Sequence, residues 1–348
     1  MENIKIQVNI EDIIKTSLML NPNNLLSETR IKLLDEIETP FKFGDQHKNV
    51  IQKEKESKIK LKEILNGSNL YLIKDKIKRV MLGRKIETKN GLDFYLYPQR
   101  KLTEEEKNSS LNIMVIGDTG SGKSTWLQCL LNYLQEIQLE EDERYYLFDE
   151  KALLDEYQNK NGLKFPSFSI IDKPTIFNIE PNKLFNKPIR LIDTPGFGDT
   201  RGIRYDEKII EDIKILFQSS EIESINTICF FFKANQGRAR DWFVPRIISL
   251  FNNEIKNNVV FIFTFTTNFN DILHLNLIKN KNSLFDIMFE DINKIPYFAF
   301  NSVAYFNDDE KYVEDIYENN TNNFRNFLQC ISSFNRVSLK SKYIKVHN

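Results

Sequence analysis

The stretch GDTGSGKST, residues 117–125, directly follows the apolar run NIMVI at 112–116 and directly precedes a segment of helical character. It fits the pattern G-x-x-x-x-G-K-S/T without a mismatch, and a strand before it with a helix after it is the context that this pattern requires. Its glycines allow backbone N–H groups to converge on phosphate oxygens, and the following helix adds its positive N-terminal end. We therefore predict a phosphate-binding loop, called the P-loop below; the alternative is a glycine-rich turn without a ligand.

Two side chains of the P-loop have predicted chemical roles. Lys123 is expected to reach the β- and γ-phosphates of a nucleotide and is a candidate catalytic residue, while the Ser124 hydroxyl is expected to bind Mg2+. The residues of the loop expected to contact the ligand are Gly117, Asp118, Thr119, Gly120, Ser121, Gly122, Lys123, Ser124 and Thr125.

A second motif, LIDTPGFGD at residues 191–199, is an apolar strand ending in D-x-x-G, about 70 residues after the P-loop lysine. Asp193, at the end of the strand, is suited to hold Mg2+ through water, and the Gly196 N–H is suited to sense a γ-phosphate. An ordinary turn is the alternative. Together with an intact P-loop, the motif favours a nucleotide and Mg2+ site.

Outward from these motifs, the chain from residue 112 alternates short apolar runs with helical stretches. This order predicts an α/β fold with a mostly parallel sheet, and the continuous hydrophobicity of the runs predicts strands that are buried on both faces. Candidate strands are 112–116, 175–179, 189–193, 227–232, 259–265 and 297–300. Candidate helices are 123–138, 206–218, 241–252, 284–293 and 311–334.

Residues 1–107 are polar and lysine-rich, and we predict that they form an N-terminal α+β extension beside a nucleotide-binding domain at 108–348, which includes the C-terminal helix. Alternating charges at 51–65 predict a solvated helix, with a partner-binding helix as the alternative. Asn90-Gly91, between two β-prone runs, predicts a hairpin. The acidic connection at 139–162 is long, and loops of this length are more often functional or mobile than inert.

Composition limits the classes of function. With 48 basic and 49 acidic residues the net charge is −1, which gives no global field for nucleic acid. The three cysteines lie far apart in apolar stretches and indicate buried thiols in a reducing compartment. No apolar run approaches the roughly 20 residues that span a bilayer. We expect a soluble, cytoplasmic protein without nucleic acid partners; a membrane role, for instance through the helical segment at 324–334, has no support in the sequence.

The two motifs together resemble those of the septin and immunity-associated GTPases, within the translation-factor-related class of P-loop GTPases. The likeness continues through TICFFFKANQGRARDW (227–242) and NNVVFIFTFTTNF (257–269) and covers roughly residues 112–304. It implies a three-layer P-loop NTPase fold of the Ras-like G domain type, GTP or GDP with Mg2+ as ligands, and dimerisation or oligomerisation through the nucleotide face. Residues 1–107 match no family that we recognise.

One departure from the family concerns the base. Such GTPases select guanine with Asn/Thr-Lys-x-Asp after the fifth strand, but here that place holds TFTTN at 264–268, without the lysine and the aspartate. Thr267 or Asn268 remains available to contact the base, and Asn301-Ser302 occupies the position of the loop that lines the base in such proteins. Strand-end hydroxyl groups without a ligand are the alternative for Thr266 and Thr267.

The other departure concerns catalysis. Phe197 stands where Ras-like enzymes have a glutamine that orients the attacking water, and a phenyl ring cannot do so. An arginine donated across a dimer would compensate. The nearby candidates are Arg201, Arg204, Arg238 and Arg240. A Ser or Thr from the loop before Asp193 would complete the magnesium shell, and Ser167, Ser169 and Thr175 are the alternatives. Spacing favours Ser169 as a catalytic residue, because Thr175 is expected inside a strand.

Three functional hypotheses follow. The leading one is a slow GTPase whose hydrolysis is coupled to dimerisation or assembly. The second is a nucleotide-locked scaffold that hydrolyses nothing, and the third is a P-loop ATPase. The three histidines lie apart from each other and from cysteine or carboxylate clusters, so neither a histidine metal centre nor a histidine base is indicated.

Overall fold

The computed structural model describes residues 83–161, 171–236, 242–266, 272–280, 283–306 and 313–339. The predicted charged helix at 51–65 lies outside these ranges. The described residues from Arg84 onward belong to one compact unit. Its strands are β1 Arg84–Lys89, β2 Leu92–Leu96, β3 Leu111–Gly117, β4 Glu143–Tyr146, β5 Thr175–Ile179, β6 Ile189–Asp193, β7 Ser224–Ile225, β8 Thr227–Lys233, β9 Val259–Thr264, β10 Tyr297–Ala299 and β11 Val337–Ser338. Its α-helices are α1 Glu104–Ser109, α2 Lys123–Leu134, α3 Glu150–Asn161, α4 Ile203–Gln218, α5 Val244–Ile248, α6 Leu273–Ile278, α7 Leu284–Met288 and α8 Val313–Ser332.

The central sheet has six strands in the order β10-β9-β8-β3-β6-β5. All neighbouring pairs are parallel except β5 and β6, which are antiparallel. The strand order reverses at β3, which lies between β6 and β8, and ligands of open α/β sheets bind at the carboxyl ends of strands at such a switch point. The predicted fold class, a three-layer P-loop NTPase of the Ras-like type with a mostly parallel sheet, is confirmed.

Side-chain alternation along β8 explains the two buried faces of the sheet. Phe230 and Phe232 belong to the apolar core that also contains α4 and α5, whereas Phe231 points to the opposite face. There the ring of Trp126 on α2 packs 5.2 Å from the rings of both Phe231 and Phe327 on α8. Because neighbours in a strand face opposite sides, an uninterrupted apolar run fills both layers.

The ends of several helices differ from the prediction for local reasons. Helix α2 ends at Leu134, since Glu136 adopts a positive φ of 56°. Helix α4 begins before residue 206, after Gly202 with φ 84°. The predicted helix 284–293 is split into α7 and the 3-10 turn Ile292–Lys294. In the predicted helix 241–252, the described α-helical part is α5, and α8 ends two residues before the predicted end at 334.

The predicted hairpin is confirmed: β1 and β2 are antiparallel, and Asn90 and Gly91 have φ of 52° and 80°, as a two-residue turn with two positive φ values requires. The predicted connection at 139–162 contains β4 and α3, neither of which was predicted. Strand β4 pairs in parallel with β2. It is tied to α2 by Asn132, whose amide donates to the Tyr145 carbonyl over 2.9 Å and whose carbonyl oxygen accepts from the Tyr145 N–H over 2.8 Å.

Besides the pairing of β2 with β4, polar side chains of residues 84–107 contact the rest of the unit. Arg100 forms ion pairs with Glu106 and with Glu180, which follows β5. The Tyr97 hydroxyl accepts from the Glu180 N–H over 3.2 Å. The predicted division at residue 107 stays a prediction, because residues 1–82 lie outside the described ranges.

Two further predictions concern cysteines and membranes. All three cysteines are free thiols; Cys129 and Cys229 are buried, and Cys330 is half-buried. In the described part of the chain, no helix has both the length and the apolar content needed to cross a bilayer. Phe324, Phe327 and Ile331 of α8 are buried, so this helix packs on the sheet.

Candidate nucleotide-binding site

The P-loop leaves the carboxyl end of β3 at the switch point of the sheet, and its glycines are needed for steric reasons. A Cβ on Gly117 would lie 2.7 Å from the carbonyl oxygen of Phe231, so β8 leaves no room for a side chain. Gly120 and Gly122 have φ of 71° and 81°, values that L-residues rarely adopt. Gly122 is also the N-cap of α2, and this backbone therefore turns directly into the helix.

Lys123 lies folded across the P-loop. It is 5% exposed, and its Nζ donates hydrogen bonds of 2.9 Å to the carbonyl oxygens of both Gly117 and Asp118. Burial lowers the pKa of Lys123 to about 8, against the opposing effect of the Asp193 and Asp118 carboxylates. Phosphate oxygens next to this ammonium group would compensate for its loss of solvent, as expected for the lysine of a phosphate site.

The two predicted metal ligands are in contact. The Ser124 hydroxyl donates to Asp193 Oδ2 over 2.9 Å, and Asp193 is fully buried. Its second oxygen, Oδ1, is buried without a hydrogen-bond partner. Burial raises the pKa of Asp193 to about 6, opposed by Lys123 and by the hydrogen bond from Ser124. An unpartnered carboxylate oxygen beside a hydroxyl fits Mg2+, which prefers oxygen ligands.

Other ligands of such an ion would be phosphate and water. Among the described residues, no group of three or more His, Cys, Asp and Glu side chains could hold a metal. Mg2+ is commonly held by one or two carboxylates together with substrate phosphates and water, so the pair of Ser124 and Asp193 suffices beside a nucleotide.

The DTPG segment, residues 193–196, lies directly against the P-loop. The Phe197 N–H donates to the Gly117 carbonyl over 3.1 Å, and the Thr119 N–H donates to the Phe197 carbonyl over 2.8 Å. Before it, the Thr194 hydroxyl donates to the Val115 carbonyl over 2.7 Å. The two motifs thus meet beside the phosphate site, and the backbone of the Gly196 region is in contact with the P-loop.

Phe197 is a core residue. It is fully buried, and its ring stacks on Phe243 with centroids 4.8 Å apart and an interplanar angle of 3°. The Trp242 ring meets it edge-on at 6.0 Å. Its side chain therefore has a structural role and cannot orient a water molecule.

The segment in the place of the base-selecting motif begins with a contact to the P-loop that was not predicted. The Thr264 hydroxyl donates to the Ser121 carbonyl in the P-loop over 2.7 Å. The sequence signal for this contact was that Thr264 stands in the first position of the Asn/Thr-Lys-x-Asp pattern. Phe265 follows with φ of 56° and is 48% exposed, and Thr266 is buried. Thr267 and Asn268 lie outside the described residues.

Asn301 and Ser302 make contacts within the protein. The Asn301 side chain accepts from the Val303 N–H over 3.2 Å, and its backbone carbonyl accepts from Asn320 Nδ2 over 2.6 Å. The Ser302 carbonyl accepts from Cys129 Sγ at 3.9 Å. These contacts fix the loop to α8 and to α2; contact with a base stays a prediction.

Three residues before β6 were candidates to complete the magnesium shell, and one of them lies in the described part of the chain. Ser167 and Ser169 lie outside the described ranges. Thr175 is the first residue of β5, and its hydroxyl donates to the Lys173 carbonyl over 3.0 Å.

The candidate arginines differ in their surroundings. Arg201 donates to Asp199 over 2.9 Å and to Asp172 over 2.7 Å, and its guanidinium lies 3.4 Å above the Tyr205 ring. Arg204, on the first turn of α4, is exposed. Arg238 and Arg240 lie outside the described residues.

His274 is a buried residue at the carboxyl side of the sheet. Burial lowers the pKa of His274 to about 4, and its ring packs 4.9 Å from Phe232. It is therefore neutral at pH 7.

No protein-family model matches the chain, and no curated protein matches it significantly. Among solved structures, the chain is similar to Toc33 from Arabidopsis thaliana in complex with Mg2+ and GMPPNP, at 15% identity over 67% of this chain and 90% of that chain, with a TM-score of 0.42. It is similar to a structure of the chloroplast translocon components atToc33 and psToc159, titled on the importance of dimerization for GTPase activity, at 16% identity over 63% and 85%, with a TM-score of 0.36. A third is the S. cerevisiae Ski7 GTPase-like domain bound to GDP and inorganic phosphate, at 19% identity over 56% and 43%, with a TM-score of 0.37.

Proposed function

We propose that this chain binds GTP with Mg2+ and hydrolyses it slowly, with hydrolysis coupled to dimerisation or assembly. The observation that carries the proposal is the cluster under the P-loop, where buried Lys123 lies beside the Ser124–Asp193 pair and Asp193 Oδ1 has no hydrogen-bond partner. A Mg·nucleotide complex supplies the phosphate and cation that these groups lack.

The residues have separate roles in this proposal. Lys123 binds the β- and γ-phosphates, and the backbone N–H groups of the P-loop hold their oxygens. Ser124 and Asp193 hold Mg2+, which when bound neutralises charge on the phosphates. The Gly196 region reports the presence of a γ-phosphate, because it lies against Thr119. Ser169 would complete the site from the preceding loop.

Slow hydrolysis follows from Phe197. Its ring is stacked in the core, so this position supplies no group for the attacking water. A second subunit facing the nucleotide could supply a donor and exclude solvent. A donated arginine contributes about 10³- to 10⁵-fold in rate in such enzymes.

Two other functions have an observation in their favour. Buried Phe197 also suits a nucleotide-locked scaffold that hydrolyses nothing. The broken base-selecting motif suits an ATPase, because Phe265 and Thr267 stand in the places of the lysine and the aspartate, and the carboxylate that would bind the guanine edge is missing.

The first experiment is to identify the nucleotide released when the purified protein is denatured. GDP or GTP supports the proposal, and ADP or ATP supports the ATPase. Single-turnover phosphate release at several protein concentrations then separates a GTPase from a scaffold. In calorimetric titrations Lys123→Ala should abolish nucleotide binding, while Lys214→Ala, which removes a half-buried lysine paired with Glu211 on α4, should not. Unchanged affinity in the Lys123 variant would refute the proposal.

A further inference from the structure

Phe265 combines two features that are unusual for a phenylalanine. Its side chain is 48% exposed, and its φ of 56° lies in the left-handed region, where the Cβ crowds the backbone. Asn90 and Glu136 are the other non-glycine residues with positive φ among the described residues, and both are polar. Strained backbone of this kind persists only where the surroundings enforce it, and it is concentrated at ligand-binding sites.

The residues on both sides of Phe265 enforce its conformation. Before it, the Thr264 hydroxyl is bonded to the P-loop, and the Thr264 carbonyl accepts from the Ala234 N–H over 2.8 Å. After it, the Thr266 N–H donates to the Phe300 carbonyl over 3.2 Å. Thr264 and Thr266 are 2% and 1% exposed. The chain is fixed at two buried points, and the ring between them is directed out of the core.

The ring lies beside the P-loop. Its Cε2 atom is 3.5 Å from the position of a Cβ on Gly122, the N-cap of α2. Lys233, the last residue of β8, has its Nζ 5.9 Å from the ring centroid. The same Nζ is 3.7 Å from the position of a Cβ on Gly120. An exposed aromatic surface and a cation therefore border the loop that would hold phosphates.

We propose that Phe265 is the base-stacking residue of the nucleotide site and that a purine base lies against its ring, in the place where a lysine of the family pattern would stand. This proposal rests on the proposed nucleotide binding. Stacking on an aromatic ring does not depend on the hydrogen-bonding edge of the base, because every base has a π-face. Phe265 consequently contributes affinity for purine nucleotides without selecting among them.

The test uses Phe265→Gly in the full chain. Glycine adopts a positive φ without strain, so the melting temperature should not fall, and a loss of binding cannot be attributed to unfolding. We expect GTP and inosine triphosphate to bind about 5- to 150-fold more weakly, by the same factor for both. Inorganic tripolyphosphate, which has no base, should compete with labelled GTP at an unchanged inhibition constant. Phe265→Tyr, which keeps a ring, should remain close to the wild type.

Tyr297→Ala is the matched control. Tyr297 is a 42% exposed aromatic residue with Lys279 Nζ 5.2 Å from its ring, but it lies in β10 and not beside the P-loop. Its removal should leave both affinities unchanged.

Three results would overturn the inference. They are unchanged GTP affinity in Phe265→Gly, an equal loss for GTP and tripolyphosphate, or different factors for the two purines. In the first case Lys123→Ala still loses nucleotide, so the proposed function stands without the inference. A wild-type chain that binds neither GTP nor tripolyphosphate would instead refute the proposed function itself.

Discussion

Gly196 lies so close to Thr119 that a Cβ added at Gly196 would be 2.6 Å from the Thr119 backbone nitrogen and closer still to its Cα. Real Cβ atoms do not approach backbone this closely, so any side chain at residue 196 must separate the two motifs. The Thr119 hydroxyl is itself buried at this contact without a hydrogen-bond partner. The contact between the P-loop and the DTPG segment therefore depends on a glycine.

Gly196→Ala should destabilise the nucleotide-free protein by about 1–3 kcal/mol, the usual cost of overpacking. It should also reduce the preference for GTP over GDP, because the backbone of residue 196 can no longer approach the P-loop. Thermal unfolding and nucleotide titrations measure the two effects. Gly198→Ala is the control for nucleotide preference, because its φ of 66° strains the backbone of an alanine but no atom lies within 4 Å of the added Cβ. Equal GTP preference in both variants would contradict the role of Gly196.

Asp193→Asn should stabilise the nucleotide-free protein at neutral pH. Burial raises the pKa of Asp193 from 3.8 to about 6, so the folded state binds this proton more tightly than the unfolded state. The favourable contribution of the protonated group is present below about pH 4 and is lost as pH rises through 6. The melting temperature of the variant should therefore exceed that of the wild type above pH 6, and the difference should shrink as pH falls towards 4.

Mg2+ and GTP should reverse the order of the two proteins at pH 7.5. The wild type has a carboxylate for the ion and gains stability by binding, whereas the variant lacks the charge. Ser124→Ala, which removes a hydroxyl and keeps the buried carboxylate, is a control that should lose the same ligand effect without the gain in stability. If Mg·GTP stabilises the Asp193→Asn variant as much as the wild type, the assignment of Asp193 to the ion is contradicted.

Phe94→Ala should show whether the hairpin belongs to the nucleotide-binding unit. Phe94 is 1% exposed, and its ring lies 4.7 Å from that of Tyr146 on β4 and 6.4 Å from that of Phe306. Loss of a buried phenyl ring costs about 3–5 kcal/mol. We expect a single, lower melting transition that still responds to nucleotide. Lys89→Ala, on the exposed β1, is the control. If Phe94→Ala does not change the melting temperature of the transition that responds to nucleotide, a domain boundary at residue 107 is supported.

The sequence predicted the central sheet well because its strands have patterns set by burial. The runs at 175–179 and 189–193 match β5 and β6 residue for residue, and β3, β8 and β9 differ from prediction by one residue at one or both ends. Strand β4 was missed because its sequence ERYY contains charged residues. Arg144 is nevertheless 1% exposed, since its guanidinium donates to the carbonyl oxygens of Tyr305, Glu141, Glu143 and Leu139. Such long-range compensation cannot be seen in a local pattern.

The candidate site also has some features that local sequence predicted and others that depend on the arrangement of distant strands. The P-loop, Ser124 and Asp193 carry fixed spacings, so the sequence predicted which residues the structure brings together. The contact of Thr264 with Ser121 and the strained conformation of Phe265 depend on β9 lying next to β8, which local sequence does not encode. Phe197 was predicted to be unable to orient water. Its stacking on Phe243 in the core explains why an apolar residue suits this position.

Specific activity should rise with protein concentration, because the chain supplies no side chain at Phe197 to orient water and a second subunit could complete the site. Symmetric pairing would let each subunit complete the site of the other. Of the two described candidate arginines, Arg201 is held by Asp199, Asp172 and the Tyr205 ring, whereas Arg204 is exposed on α4. Arg204 is therefore the better candidate to reach a partner.

Arg204→Ala should flatten the dependence of specific activity on concentration and leave nucleotide affinity unchanged, since the residue would act only on the partner's nucleotide. Arg204→Lys should restore little, because lysine lacks the planar fork that binds phosphate oxygens bidentately. Arg201→Ala should instead lower the melting temperature, and Arg325→Ala, which removes an exposed arginine from α8, should change neither property. Phosphate release from nanomolar to tens of micromolar protein, with sedimentation in the presence of a GTP analogue, measures the effect. Constant specific activity and a monomer throughout would refute dimer-assisted hydrolysis, and no phosphate release at any concentration would favour the nucleotide-locked scaffold.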